Sequence, residues 1–416
     1  MRSFLGTTFI GSLPAGWCIR QIGAKRSFCC KLLTLCAVFA VTGVVLLPTR
    51  ASDHADPIAL VYPEANITDL FFFPQGDRMI LILDVRRALR NPGPYNLEPF
   101  IYQINLDFRT LLTFDSQEDR ARYGGTIPQP EGIRPSATIT LSLTNDEKLK
   151  GVKLKGVSYT GLNDTDKIDV DVGVRDDPFV FPRFFERNTI ATVISMPMTS
   201  FPAGQQDFIL WATASKDGEL IDYVGRSLRT QLPRFGFLNA VAPSAHVKEL
   251  MKVKKFWDGI YNFFRNKREA WPKAIADLIQ FTFQIRPYDL APDVLIYSNR
   301  FPASYPNGRL LTDDVVAQTC ATGDCLLQEL SFIEGKWPRA SVNDKALPGQ
   351  WPLLAGQWPD RQEAAQPTES IWPYVIAGLA VIAIVFWGFV EIIRRLLMRL
   401  LIRLWRALRP KSAAPA

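Results

Sequence analysis

The side chains best suited to chemistry in this sequence are carboxylates grouped around one of its two histidines. Asp53, His54 and Asp56 lie close together, and Asp69 follows a short way along the chain. Carboxylate oxygens are the ligands that Ca²⁺ prefers, and an imidazole nitrogen adds a ligand suited to copper. This group is therefore a candidate metal site, with calcium or copper as the candidate ion.

His54 supports a sharper hypothesis that depends on where the mature chain begins. If a signal peptide is removed after Ala51, the chain starts at Ser52 and histidine is its third residue. The free amine, two backbone amides and the imidazole then surround one ion in a square plane, which suits Cu(II) or Ni(II). The competing interpretations are a hydrogen bond from His54 to Asp53 or Asp69, a site for another ion, and no role. The internal hydrogen bond is the interpretation we favour.

Two further acidic pairs stand beside turn residues, and an arginine precedes the second pair. They are Asp176 with Asp177, and Asp313 with Asp314 after Arg309. Such carboxylates bind Ca²⁺ in some loops, but more often they close turns and cap helices. We favour turn closure and capping, and keep as an alternative a metal-dependent enzyme that combines the histidine group with Arg309 and Asp313.

Several common chemistries are excluded by what the sequence lacks. It contains no P-loop, no glycine-rich dinucleotide motif and no nucleophile-elbow motif. With two histidines, one chain cannot build a histidine-rich zinc site. His246 lies in a basic helical stretch and is most simply a surface or packing residue.

The cysteines predict one local disulfide. Four of the six precede residue 52, which leaves Cys320 and Cys325 in the body of the chain. An isolated pair at short spacing in an exported protein most often closes a loop, and a redox-active pair is the alternative.

The elements around these residues predict an exported protein with a membrane anchor. Residues 1–51 are typical of a signal peptide or signal anchor, and residues 371–390 form an uncharged stretch long enough to span a bilayer. The basic, amphipathic segment 391–416 is predicted to be cytoplasmic. We favour a flank that only fixes the orientation of the span, and keep contact with anionic lipid or a membrane protein as the alternative. We therefore expect the body to lie in the periplasm or outside the cell.

The net charge of the chain, +7, comes from its two ends. Residues 1–51 carry six basic side chains and no acid, and residues 391–416 carry seven basic side chains and one acid, which leaves −5 for the segment between them. A mildly acidic body argues against a nucleic-acid partner.

The body, residues 52–338, is predicted to be mainly β, with a sandwich or barrel architecture. Short runs rich in β-branched and aromatic residues are separated by turn residues from about residue 57 to 225, and "ATITLSL" and "KIDVDVGV" alternate most clearly. A helical segment follows around 244–285, with Ser244 as a candidate cap and a break at Pro272. The Pro-, Gln- and Trp-rich segment 339–370 is predicted to be an extended stalk.

Several boxes together carry a family resemblance. They are "SDHADP", "NITDLFFF", "RDDPFVF", "NTIATVISMPMTSF", "FILWATAS", "YVGRSLRTQL" and "PDVLIYSNRFPASYPNGRLLTDDVV". In these boxes the chain resembles the bacterial exported proteins of domain-of-unknown-function family four-three-three-one. It departs from the family pattern after His54, where Ala55, Asp56 and Pro57 follow. The resemblance implies a single exported β-rich domain and brings no established activity.

The sequence as a whole predicts a membrane-anchored periplasmic or cell-surface binding and interaction protein, with stabilisation by a bound ion as one form of this prediction. The alternatives are the metal-dependent enzyme described above and an accessory subunit of a membrane complex that is contacted through the basic tail.

Overall fold

The computed structural model describes residues 62–86, 96–146, 151–181, 185–229, 234–268, 270–323, 325 and 341–359, with positions 390, 394, 397, 398 and 401. Contacts divide the chain into one unit of residues 50–364 and another of residues 1–49 with 365–416. The described positions of the second unit are helical and exposed. Within the part of the chain that the structure describes, we find no helix with the length and apolar character that a membrane span requires. Residues 371–389 of the predicted span lie outside that part.

The first unit is built on two antiparallel sheets, which confirms the mainly β prediction. One sheet has four strands in the order β1-β2-β7-β6: β1 (Ile67–Gln75), β2 (Arg78–Arg86), β6 (Asp169–Asp176) and β7 (Asn188–Pro197). The other has six, with the order β10-β8-β3-β4-β5 and β9 also paired to β8: β3 (Phe100–Asp107), β4 (Ala137–Asp146), β5 (Gly151–Thr160), β8 (Asp207–Lys216), β9 (Glu219–Val224) and β10 (Leu295–Ser298).

The two sheets share one apolar core, as in a β-sandwich. Leu81 of β2 and Ile194 of β7 belong to the same buried cluster as Ile104 of β3 and Phe208 of β8. In β4 buried and partly buried positions alternate as predicted, because one face meets the core. In β6 six consecutive positions are partly buried, so the alternation predicted for this strand is absent.

Three strands were not predicted, and β1 shows why. Its residues 67–73 are all buried, so the strand lacks the alternation that marks a half-buried strand. The other two, β9 and β10, are short.

Four helices accompany the sheets: α1 (Gln117–Tyr123), α2 (His246–Arg265), α3 (Ala270–Thr282) and α4 (Val315–Ala321). The predicted helical segment is confirmed as α2 and α3, but two details differ. Pro272 lies in the first turn of α3, where a missing N–H removes no helical hydrogen bond, so the break precedes it. Ser244 lies in a 3-10 turn, and α2 begins without a side-chain cap.

The described part of the predicted stalk packs on the body. Leu353 and Leu354 are buried with Phe71 and Ile82 on the outer face of the four-stranded sheet. Asp176 donates its backbone N–H to the carbonyl oxygen of residue 355 at 3.1 Å. Residues 341–359 therefore form a covering strap, which we call the C-terminal strap, because the apolar outer face of the sheet needs shielding from water. Residues 360–370 lie outside the described residues.

Candidate functional site

The residues of the predicted histidine group are only partly described. Asp53, His54 and Asp56 lie outside the described residues, whereas Asp69 is on β1. Asp69 Oδ1 lies 2.5 Å from Arg309 Nη2, and both side chains are buried. The Arg309 guanidinium also lies 4.1 Å from the ring centroid of Phe71. The structure thus brings together two predicted site residues, in a fully buried ion pair stacked on an aromatic ring.

The pair Asp313 and Asp314 closes a turn and caps a helix. Asp313 Oδ2 accepts the backbone N–H groups of Tyr305 at 2.8 Å and Leu310 at 2.7 Å. Asp314 Oδ1 accepts the N–H of Ala317 at 3.0 Å, as the N-cap of α4. Each carboxylate satisfies backbone donors that would otherwise lack a partner.

The pair Asp176 and Asp177 holds the segments that flank β6. Asp177 accepts the N–H of Phe179 at 3.0 Å. Asp176 accepts Trp358 Nε1–H at 2.5 Å and Asn343 Nδ2–H at 2.9 Å, both from the C-terminal strap. Burial raises the pKa of Asp176 to about 6, and the nearby Asp344 carboxylate adds to the rise.

The predicted disulfide between Cys320 and Cys325 is confirmed. It closes the loop that follows α4. Among the described residues, no group of three or more His, Cys, Asp and Glu side chains is arranged to hold a metal ion.

His246 is a packing residue, one of the two roles considered for it. Its Nδ1 accepts the Asp293 N–H at 3.0 Å, so its proton is on Nε2, which lies 2.7 Å from the Val241 carbonyl oxygen. Burial lowers the pKa of His246, which keeps the imidazole neutral. The ring ties the start of α2 to the chain before β10.

A cavity of about 350 Å³ lies where α1, the turn after β9 and α4 meet. We call it the arginine cavity, and its polar and aromatic lining includes Arg122, Tyr123, Arg226, Arg229, Phe235, Tyr288, Tyr305 and Gln318. A volume of this size suits a small molecule.

The turn after β9 delivers two of the arginines. A Cβ atom at Gly225 would lie 2.1 Å from the Asp293 carbonyl oxygen, so only glycine fits where the chain leaves the sheet. Leu228 then takes a left-handed conformation with φ 65°, which is rare for a leucine and is held by burial of its side chain. This backbone directs Arg226 and Arg229 to the cavity.

Both of these arginines are nearly fully buried, with 6% of Arg226 and 7% of Arg229 exposed. Arg229 donates to two neutral acceptors, the carbonyl oxygens of Pro292 at 3.0 Å and Asp289 at 2.7 Å. Arg226 Nε lies 3.8 Å from Asp293 Oδ1, which is a long ion pair. Burial without a close carboxylate is costly for a cation, so both guanidinium groups retain a strong attraction for an anion.

Aromatic rings hold the guanidinium planes in place. Arg226 lies 4.4 Å from the ring centroid of Tyr123, and Arg122 lies 4.1 Å from that of Tyr288. Arg229 lies 4.6 Å from the ring centroid of Phe235. Stacking fixes each guanidinium and leaves its N–H edges available for hydrogen bonds.

The charges around the cavity do not cancel. Ion pairs and ring contacts in this region involve five arginines and three acids among the residues that the structure describes. They are Arg122, Arg226, Arg229, Arg234 and Arg286, with Glu118, Asp289 and Asp293. Asp119, whose charge acts on Tyr123, adds a fourth acid, so the arginines exceed the acids by one and the region is electropositive within an acidic body.

Tyr123 adds a neutral donor. Burial raises the pKa of Tyr123 to about 12, so its hydroxyl stays protonated at neutral pH. That oxygen is buried and has no hydrogen-bond partner among the described residues. Tyr123 and Tyr288 also line a second cavity of about 290 Å³, whose walls include the apolar side chains of Leu290 and Ile296 and the carboxylate of Asp119.

Sequence reasoning missed the arginine cavity. Arg226 and Arg229 lie in the box "YVGRSLRTQL", but no role was assigned to them. Two arginines three residues apart, directly after a strand and a glycine, were the available signal. No sequence signal marked Arg122 or Tyr288, because only the folding of distant parts of the chain brings them to the cavity.

Comparison with protein-family models, curated proteins and solved structures finds no match to this chain. Fold and site together define an antiparallel two-sheet β protein with an arginine-lined cavity. The resemblance to the exported family of unknown function stays a prediction.

Proposed function

We propose that the protein is an extracytoplasmic binding protein that takes a small organic anion in the arginine cavity, with residues 371–390 as its membrane anchor. The observation that carries the proposal is the burial of Arg226 and Arg229 beside one cavity, where Arg229 donates to two backbone carbonyl oxygens and the ion pair of Arg226 with Asp293 is long, at 3.8 Å. A bound anion would supply the missing charge.

The lining favours a carboxylate or phosphate group. Arginine presents parallel N–H donors that match two oxygens of either group, and the bonds are charge-assisted. The Tyr123 hydroxyl, which stays protonated, supplies a further donor. The apolar side chains of the adjoining cavity favour an anion that also carries a hydrocarbon or aromatic part.

The same lining favours binding over turnover. The described residues around the cavity offer donors and aromatic walls, and their one carboxylate, Asp289, is paired with Arg286 at 3.0 Å and Arg234 at 3.6 Å instead of being free to act as a base. We therefore place binding ahead of catalysis for this site.

Isothermal titration of the purified full chain with inorganic phosphate, acetate and benzoate tests the proposal. We expect benzoate to bind best, because it carries both a carboxylate and an apolar ring. Arg226→Gln removes one buried charge and should weaken binding about 10- to 100-fold, which is the range for a charge-assisted hydrogen bond.

Arg300→Gln is the matched control. Arg300 is also stacked on a ring, that of Phe114 at 5.3 Å, and pairs with Asp207 at 2.6 Å, but its side chain is half exposed and is not part of the cavity lining. This variant should bind the anion like wild type. The proposal fails if none of the three anions binds, or if both variants change binding equally.

A further inference from the structure

We propose that the exposed side of α2 is a docking surface for an anionic lipid bilayer. This helix carries three large apolar side chains that face solvent: Met251 is 58% exposed, Phe256 61% and Phe263 60%. Single exposed apolar residues are ordinary on a protein surface, but three large ones on the solvent side of one helix indicate a partner.

Four of the six other exposed positions of α2 are basic. Lys248, Lys252, Lys255 and Arg265 are exposed, and no Asp or Glu of this helix is. Its two acids are partly buried and engaged: Glu249 lies 2.6 Å from Lys252 Nζ and Asp258 lies 2.5 Å from Lys254 Nζ. The solvent side of α2 therefore presents cations and aromatic rings together.

Helix geometry places Phe256 and Phe263 along one edge of a solvent-facing stripe and Met251 along its other edge, about 140° away, with the three exposed lysines between them. Phe256 and Phe263 are seven residues apart, which is close to two helical turns, and Lys252 and Lys255 lie within one turn of Phe256. The opposite side of the helix already has its partners, because Leu250 is buried and Trp257 stacks on Phe283 with ring centroids 4.5 Å apart. The stripe therefore stays exposed to solvent after the other side of the helix has packed against the body.

The neighbouring helix extends the surface. In α3 Leu278, Phe281 and Lys273 are exposed, and the exposed Asp277 pairs with Arg265 of α2 at 3.3 Å. Residues 246–282 carry eight Lys and Arg against four Asp and Glu, a net charge of +4. This hairpin is therefore a basic region on a body that is acidic overall, and it complements the negative surface of a bilayer.

A bilayer fits the stripe better than a second copy of the chain. Two copies meeting through α2 would bring like charges together, whereas an anionic leaflet attracts the lysines and accepts the rings at its interface. Basic side chains interleaved with exposed aromatic rings are the pattern of helices that lie in the membrane interface. The proposal does not depend on the arginine cavity or on its ligand.

Hydroxyl-radical footprinting of the full chain tests this surface, because it reports side-chain exposure residue by residue. The chain is reconstituted in vesicles of phosphatidylcholine alone, in vesicles with about one-third phosphatidylglycerol, and in detergent. We expect oxidation of Met251, Phe256 and Phe263 to fall several-fold only in the vesicles that contain phosphatidylglycerol. Leu111, which is 66% exposed on the loop after β3, is the internal control and should be oxidised equally in all three.

Two variants make the result decisive. Replacing Lys248, Lys252 and Lys255 by Gln should remove the protection, because three interfacial lysines together account for roughly a 100-fold change in partition to an anionic surface. Phe256→Ser with Phe263→Ser should restore oxidation of Met251 while thermal unfolding stays unchanged. Equal oxidation in all three preparations, equal protection of Leu111, or protection in detergent that grows with protein concentration would each overturn the proposal.

Discussion

Replacement of Asp176 by Asn should show that ionisation of this carboxylate lowers the stability of the folded protein as the pH rises. The pKa of Asp176 in the folded protein is about 6, against an ordinary value of 3.8. An acid with a raised pKa stabilises the folded state most when it is protonated. Its contribution is therefore complete at pH values below the ordinary value, and is lost as the pH rises toward 6. At neutral pH the Asp176 carboxylate is ionised, so the wild-type protein has lost the whole of this contribution to its stability.

The expected size follows from the shift. A rise of about two pH units corresponds to about 3 kcal/mol, and solvent near this edge strand reduces the expected difference to about 2 kcal/mol. The Asn side chain keeps an acceptor for Trp358 Nε1–H, and Asn343 Oδ1 has no partner among the described residues, so a flipped Asn343 amide can accept from the new NH₂. Asp176→Asn should thus match wild type at about pH 4 and exceed it at pH 8.

Urea unfolding of the full chain at several pH values, followed by tryptophan fluorescence, measures this difference. The exposed Asp166→Asn is the matched control and should shift the free energy of unfolding by less than about 0.5 kcal/mol. A stability difference for Asp176→Asn that does not change between about pH 4 and pH 8, or that has the opposite sign, would refute the reasoning.

Three other perturbations follow from the packing. Arg309→Met should lower the free energy of unfolding by about 3–5 kcal/mol, because it leaves the Asp69 carboxylate charged and buried. Adding Asp69→Leu should recover most of the lost stability, and urea titration of the single and double variants checks this. Gly225→Ala should destabilise by about 1–3 kcal/mol and weaken anion binding, as measured by thermal unfolding and isothermal titration, because its Cβ meets backbone. Reduction of the Cys320–Cys325 disulfide should weaken anion binding several-fold without unfolding the two sheets. The reason is that the carbonyl oxygens of Thr322 and Gly323, which lie within the loop that the disulfide closes, accept hydrogen bonds from Arg122 and Arg286. Isothermal titration with and without reductant, alongside the Cys→Ser double variant, checks this.

The sequence predicted the parts of this fold whose pattern is local. β4 alternates because one of its faces meets the core, and α2 and α3 show helical spacing for the same reason. The disulfide needed only an isolated cysteine pair. β1 escaped prediction because burial of both faces erases its alternation.

The candidate site depends on long-range contacts, which no local pattern shows. Arg122 and Arg226 are far apart in sequence, yet Arg226 Nη1 lies 3.4 Å from the Arg122 carbonyl oxygen. The covering role of the C-terminal strap was hidden in the same way, since proline-rich composition indicates an extended chain but not what that chain packs against.

The C-terminal strap has a consequence for how the protein is made. Trp358 reaches Asp176 across 182 residues of chain, and the last shield for Phe71 and Ile82 comes from Leu353 and Leu354. During synthesis the four-stranded sheet can therefore assemble long before its apolar outer face is covered. The nascent chain should depend on chaperones until its last quarter has emerged, and truncation before residue 341 should yield a sheet that forms but aggregates.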